Sequence, residues 1–293
     1  MKKHTAIILS GIFVVLLFVI LFTAVKYDSF IQKQNSYNVN ETFTVANWNL
    51  QIFGEKKANN TELMNIYAST ISKFDIVFIQ EIRDKSNTSF WKLCGMLPDY
   101  NCIISTREGR TSSKEQYGVI YLKKYSVISL EDFNSDDSWE RPPMRIRFSV
   151  NNISNYSITI YNIHTKPNET GIEIELLEKF MDSENDTVNA HANIMALGDM
   201  NADCSYYPER KSFLSWHWII SDTEDTSVAQ SSCALDRIIV NDDLFNEIVD
   251  HGEYTDGIDA TVSDHYLVWM RIRDREYMKN ENFLNFLKFL KLQ

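Results

Sequence analysis

The chain reads as an α/β protein in which two sheets pack face to face with helices outside them. Three observations carry that reading. Short apolar runs of strand length recur along the sequence, with only occasional helical stretches between them. The run Ile76-Val77-Phe78-Ile79 is apolar without a break, the pattern of a strand covered on both faces. Two apolar runs, 194–197 and 266–270, adjoin polar clusters, Gly198-Asp199-Met200-Asn201 and Ser263-Asp264-His265. Polar residues delivered at strand ends lie along sheet edges, where α/β folds place ligand sites.

Taken in order, residues 43–47 form a short strand and 61–74 a helix with Leu63, Ile66, Tyr67, Thr70 and Ile71 on one face. Strands follow at 76–79, 117–122, 145–150 and 157–163, then a helix at 173–181. Strands at 194–197, 235–240 and 266–272 complete the set. At 293 residues, with 44% hydrophobic and 24% charged residues, the chain is globular and long enough for one large domain. Its net charge of −11 means that no global field steers it to nucleic acid, so any polyanion must be held by local cations and metal.

Residues 1–25 open with Lys2 and Lys3 and continue into an apolar run over residues 7–25. This is the layout of an export signal, either cleaved or retained as a signal anchor and membrane tether, and both place the remainder outside the cytoplasm. Residues 26–42 are polar and read as a linker, 43–274 as the catalytic domain, and 275–293 as a tail that is either a packed helix or an amphipathic one at a membrane surface. The four cysteines, Cys94, Cys102, Cys204 and Cys233, lack CxxC spacing, which argues against zinc and for disulfides in an exported protein. Sequons such as Asn59 and Asn168 are present, and their use depends on the host.

Polar residues sit at the end of nearly every strand: Asn49, Glu81 with Arg83, Glu115, His164, Asp199 with Asn201, Asp236 with Arg237, and Asp264 with His265. Each alone has an ordinary structural explanation as a cap, a core hydrogen-bonding group or a surface ion pair. As a set they suggest a metal-assisted hydrolase.

The set also has a family spelling. The segments Asn47-Trp48-Asn49-Leu50-Gln51-Ile52-Phe53-Gly54-Glu55, Gln80-Glu81-Ile82-Arg83-Asp84, Asn201-Ala202-Asp203-Cys204-Ser205-Tyr206, Cys233-Ala234-Leu235-Asp236-Arg237 and Ser263-Asp264-His265-Tyr266 occur in that order across about residues 43–273. In this the chain resembles the deoxyribonuclease I family of the endonuclease/exonuclease/phosphatase superfamily. The resemblance implies a four-layered α/β sandwich of two packed, mainly antiparallel sheets flanked by helices. It also implies hydrolysis of DNA phosphodiesters with low sequence specificity, preferably in double-stranded DNA, assisted by Mg²⁺ (or Mn²⁺) and Ca²⁺, with no obligate protein partner.

Carried over by position, Glu81 is the direct metal ligand, helped by Asn49, Asp199 and Asp264. A hard divalent cation wants such oxygen donors. His164 and His265 are the paired general acid and base, oriented by Glu115 and Asp236 respectively. Asn201 holds the scissile phosphate, while Arg83 and Arg141 are DNA contacts. Cys204 and Cys233 match the structural disulfide, and Asp225 lies in a segment resembling a structural calcium loop. The family's minor-groove tyrosine, two residues before the catalytic glutamate, is Ser113 here, with Arg110 just before it able to reach a phosphate. A second small disulfide loop is shortened to Asn134-Ser135-Asp136-Asp137-Ser138, without cysteines.

Two other readings are open. A superfamily phosphodiesterase acting on a phospholipid (sphingomyelinase-like) or an inositol phosphate fits the apolar termini and Ser113. A catalytically dead binding module would need a broken catalytic position, and all are present.

Overall fold

Along each strand the apolar side chains divide by parity, and that division builds the layers. In the computed structural model, which describes residues 42–133, 138–150, 156–187 and 193–273, β1 (Thr42–Phe53) and β2 (Ile76–Ile82) run parallel, with Val45 opposite Ile76 and Asn49 opposite Gln80. With β3 (Tyr100–Ile104), β4 (Gln116–Leu122), β11 (Ile248–Tyr254) and β12 (Leu267–Arg273) they form a sheet of order β11-β12-β1-β2-β4-β3. The second sheet contains β5 (Ser126–Asp132), β6 (Met144–Ser149), β7 (Ser157–His164), β8 (Asn193–Asp199), β9 (His217–Trp218) and β10 (Asp236–Val240), in the order β5-β6-β7-β8-β10-β9. There β7 and β8 are the parallel pair.

Phe43, Val45, Ile76 and Phe78 of the first sheet share one buried cluster with Ile158, Ile160, Met195, Leu197, Ile238 and Val240 of the second. The alternate residues point outward. Trp48, Val77 and Ile79 pack with Tyr67 and Ile71 of α2 (Thr61–Ile71), beside α1 (Glu55–Ala58), and with Phe90 and Leu93 of α3 (Thr88–Gly95). Tyr161, Ile163, Ile194 and Ile239 pack with Ile174, Leu177 and Met181 of α4 (Thr170–Thr187). The short α5 (Asp242–Phe245) follows β10. This is the four-layered sandwich implied by the resemblance.

The strands are longer than their apolar runs suggest. β1 continues to Phe53 because its polar end stays paired across a bulge, where Gln51 and Ile52 take φ of 47° and 53°. β3, β5, β9 and β11 escaped the sequence reading: they lie at or next to sheet edges, and their mixed patterns reflect one open side. Arg237 is no surface partner of Asp236. It is buried, with its guanidinium donating to the carbonyls of Ile220 at 2.9 Å and Ala202 at 2.8 Å.

Cys94 pairs with Cys102, and Cys204 with Cys233. The second bridge spans 29 residues of sequence and closes the chain just before Asp236. Converting both of its cysteines to serine is expected to lower unfolding free energy by about 2–4 kcal/mol, measured by urea titration against the wild type. An unchanged midpoint would show that the loop is held without it.

Asp84 fastens the start of α3, accepting from Ser86 N at 2.9 Å and from Ser89 N at 2.8 Å, and from both hydroxyls. Burial opposes its charge, but these four bonds outweigh it and hold the carboxyl at about 2. A depressed folded pKa stabilises above the unfolded value and is lost as pH falls. The stability advantage of the wild type over Asp84→Asn should therefore shrink by about 2 kcal/mol between pH 4 and pH 2 in parallel urea titrations. A constant difference across that window would remove Asp84 from the acid response.

Among the described residues no helix is long and apolar enough to cross a membrane. The export segment and linker up to residue 41, the tail from 274 onward and residues 134–137 of the shortened loop lie outside the described residues.

Candidate active site

The site forms where strand ends from both sheets meet between the layers. Asn49 of β1 donates to Asp199 Oδ2 at 2.9 Å and to Glu81 Oε1 at 3.2 Å, joining the first sheet to the second. Glu81 has φ of 60° and accepts from Ile52 N at 2.8 Å, so the β1 bulge and the end of β2 fix its carboxylate together. Gly198, at φ 149°, makes the close approach of β7 and β8 feasible. A Cβ there would lie 1.8 Å from Ile163 O. The following pair in the register is His164 opposite Asp199, and Asp199 in turn faces Asp236 of β10.

Two histidines converge on Asp199. His164 Nε2 lies 3.4 Å and His265 Nε2 3.5 Å from the same oxygen, Asp199 Oδ2. Behind them, His164 Nδ1 faces Glu115 Oε1 at 3.2 Å, and His265 Nδ1 faces Asp236 Oδ2 at 2.7 Å. Each imidazole thus has one nitrogen against a buried carboxylate and the other aimed at the centre. Burial works against charge on both rings, but carboxylates outweigh it: Glu115 and Asp199 raise the pKa of His164, and Asp236 and Asp199 raise that of His265 to about 10. Burial would raise Glu115, yet His164, Arg141 and Arg83 hold it at about 2.

The three arginines differ in availability. Arg141 exposes only 11% of its side chain; Nη1 lies 2.6 Å from Glu115 Oε1, and Nε and Nη2 donate to the carbonyls of His164 and Thr165 at 2.8 and 2.7 Å. Arg83 is partly open, paired with Glu81 at 3.2 Å and bonded to the Ser113 hydroxyl. Arg110 lies on the flank, 3.2 Å from Glu169. Asn201 donates its side-chain amide to Thr165 O at 3.1 Å and its backbone N–H to Asp199 Oδ1 at 3.1 Å. Asp264 is half exposed, with Oδ1 3.7 Å from His265 Nε2. Asp225 stands apart from the centre's metal-capable clusters, and its Oδ1 accepts from Ser227 N and Cys233 N at 3.1 and 3.2 Å, tying the loop ahead of the Cys204–Cys233 bridge.

The donors suit a hard divalent cation. Glu81, Glu115 and His164 bring ligand atoms within 4.8 Å of one another, and so do Asp199, Asp236 and His265. Glu115 is committed to Arg141 and 1% exposed, so Glu81, 14% exposed although paired with Arg83, is the more accessible carboxylate of its group.

Several supporting residues went unread in the sequence. Lys57 ties the Leu50 and Val262 carbonyls at 2.8 and 2.9 Å, holding both chain segments that flank Asn49 and Asp264. Trp48 Nε1 donates to His265 O at 3.0 Å, and Thr226 Oγ1 accepts from Asp236 N at 3.0 Å. None carries a signal beyond proximity to a site residue.

Two packed six-stranded sheets that close over histidines, carboxylates and amides define a DNase I-like hydrolytic enzyme. Residues 46–265 match the endonuclease/exonuclease/phosphatase family, and the chain belongs to it. It is 30% identical over 268 residues to deoxyribonuclease-1 of Gallus gallus, covering 80% of this chain and 93% of that protein. Deoxyribonuclease gamma of Mus musculus is 28% identical over 273 residues, with 80% and 86% covered. Among solved structures, an endonuclease/exonuclease/phosphatase family protein from Bacteroides thetaiotaomicron shares the fold with a TM-score of 0.58 at 16% identity, covering 79% of this chain and 97% of that one. Truncated Caenorhabditis elegans TDP2 does so with a TM-score of 0.57 at 14% identity, with 79% and 98% covered.

Proposed function

We propose that the chain is a divalent-metal-dependent endonuclease that cleaves DNA phosphodiesters, preferably in duplex DNA and with low sequence specificity, outside the cytoplasm. The observation that carries this reading is the convergence of the His164 and His265 Nε2 atoms on Asp199, each ring backed by its own carboxylate. Hydrolysis of a phosphodiester needs a proton taken from the attacking water and another given to the leaving oxygen. Two imidazoles on one centre meet both needs. With Nδ1–H directed at Glu115 or Asp236, the Nε2 edge of each ring is the one presented to substrate.

Glu81, Asn49, Asp199 and Asp264 are the residues that would hold Mg²⁺ or Mn²⁺. Such an ion supplies Lewis-acid stabilisation of the charge that grows on the phosphoryl oxygens. Ca²⁺ is assigned to the loop of Asp225 as a structural ion. The Asn201 amide has a second N–H for a phosphate oxygen, its first being held by Thr165 O. Arg83 and Arg110 are the cations offered to flanking phosphates, and Arg141 serves as a positioning residue for Glu115 and His164. The disulfides and the export-type N-terminus support action outside the cytoplasm, with residues 7–25 as signal or tether.

The test is nicking of supercoiled plasmid by residues 40–293 with Mg²⁺ and Ca²⁺, beside a His164→Ala variant and an EDTA control. Nicking abolished by both supports the reading. Intact plasmid together with hydrolysis of sphingomyelin or an inositol phosphate would replace DNA as the substrate.

A further inference from the structure

A chain of buried amides lies beneath the histidines. Asn47 continues the inward row of Phe43 and Val45 on β1, Gln80 that of Ile76 and Phe78 on β2, and Asn162 that of Ile158 and Ile160 on β7. All three side chains are fully buried. Gln80 Nε2 donates to Asn162 Oδ1 at 2.6 Å and also to Asn47 Oδ1, and Asn47 Nδ2 donates to Asp236 Oδ1 at 3.2 Å. The chain crosses from one sheet to the other and ends on the carboxylate that orients His265.

As a stabilising device this layer is poor. Gln80 Oε1 and Asn162 Nδ2 are buried without a hydrogen-bond partner, where the neighbouring rows of the inter-sheet core are apolar. What the layer does supply is a donor on the inner oxygen of Asp236. Its other oxygen is taken by His265 Nδ1, so the carboxylate is fixed at both ends and cannot turn away from the ring. From this we infer that Asn47 is a positioning residue for His265, acting through Asp236, with Gln80 fixing its amide. The inference rests on the hydrolytic reading above and adds to it residues outside the catalytic set.

The experiment compares Asn47→Leu with Asn162→Leu, which removes an equally buried amide one step further from Asp236. Turnover is measured on plasmid and on the small diester bis(p-nitrophenyl) phosphate, with melting temperature recorded for each protein. Asn47→Leu should lower kcat about 10- to 100-fold with KM within about twofold. Asn162→Leu should change kcat less than about threefold at a comparable shift in melting temperature. Asn47→Ser, which keeps a donor hydroxyl and room for a bridging water, should recover part of the loss. It reports the same effect should the leucine variant fail to fold. Wild-type kcat in the Asn47 variants, or losses that track melting temperature alike at both positions, would overturn the inference. A wild type inert on both esters would instead overturn the hydrolytic reading beneath it.

Discussion

Replacing His265 with asparagine is expected to lower kcat for plasmid nicking by about 10²–10⁴-fold, with the far-ultraviolet circular dichroism unchanged. The asparagine amide can still donate toward Asp236, which would otherwise be a buried carboxylate missing its main partner at 2.7 Å. It has no titratable ring nitrogen and so cannot give or take a proton, and proton transfer is what the proposed mechanism requires. Because His164 and His265 flank one oxygen of Asp199, at 3.4 and 3.5 Å, they are expected to act as a unit. The double variant His164→Ala/His265→Asn should then be little slower than the worse single variant. Single-turnover nicking at saturating enzyme separates this loss from any change in DNA affinity. Near-normal single-turnover rates for His265→Asn would remove the ring from proton transfer.

The layered fold was legible because parity in the central strands is strict. Ile76 and Phe78 face the inter-sheet core while Val77 and Ile79 face the helices, so an unbroken apolar run was the right sign of a strand covered on both sides. The edge strands were not legible for the same reason: β11 reads Ile-Val-Asp-His-Gly-Glu-Tyr, with one side open and no apolar run to mark it. At the centre, Asn49, Glu81, His164, Asp199 and His265 were legible as polar residues beside apolar strands, with the roles expected of them implied by the family resemblance. What holds them could not. Lys57 reaches two carbonyls that belong to segments some 200 positions apart, a contact with no local pattern. Cys94 and Cys102 are partners because the fold brings the end of α3 to β3, which no local pattern marks.

The amides show a middle case. Asn47 lies two residues before Asn49, and Asn162 two before His164, so in each strand the polar side chain shares the face of the site residue that follows it. An inward polar residue one pleat below a strand-end ligand is a readable signal. It acquires meaning only once the opposite sheet is known to bring Asp236 within reach.

Glu81→Gln is expected to reduce kcat/KM at fixed, subsaturating Mg²⁺ by about 10²–10³-fold, and to move half-activation by Mg²⁺ up by at least about tenfold. The substitution keeps the side chain's shape and an oxygen for Ile52 N, which now sits at 2.8 Å, so the β1 bulge retains its anchor. It removes the negative charge. Neighbouring Asn49 is neutral, and Glu115 is neutralised by Arg141 at 2.6 Å, so little anionic character is left on that side of the centre. A divalent ion bound through hard oxygen donors is sensitive to that deficit, because its affinity follows the charge of its ligands. Arg83, 3.2 Å from Glu81 in the parent, also loses that carboxylate and keeps only the more distant Glu115, at 3.7 Å, which leaves more positive charge close by. Both effects act in the same direction, against cation binding. If saturating Mg²⁺ restores turnover, the carboxylate serves mainly to hold the ion; if turnover stays low at saturation, the carboxylate also shapes the transition state. Unchanged Mg²⁺ dependence together with unchanged turnover would show that the ion is held elsewhere, with Asp199 and Asp264 the next residues to test.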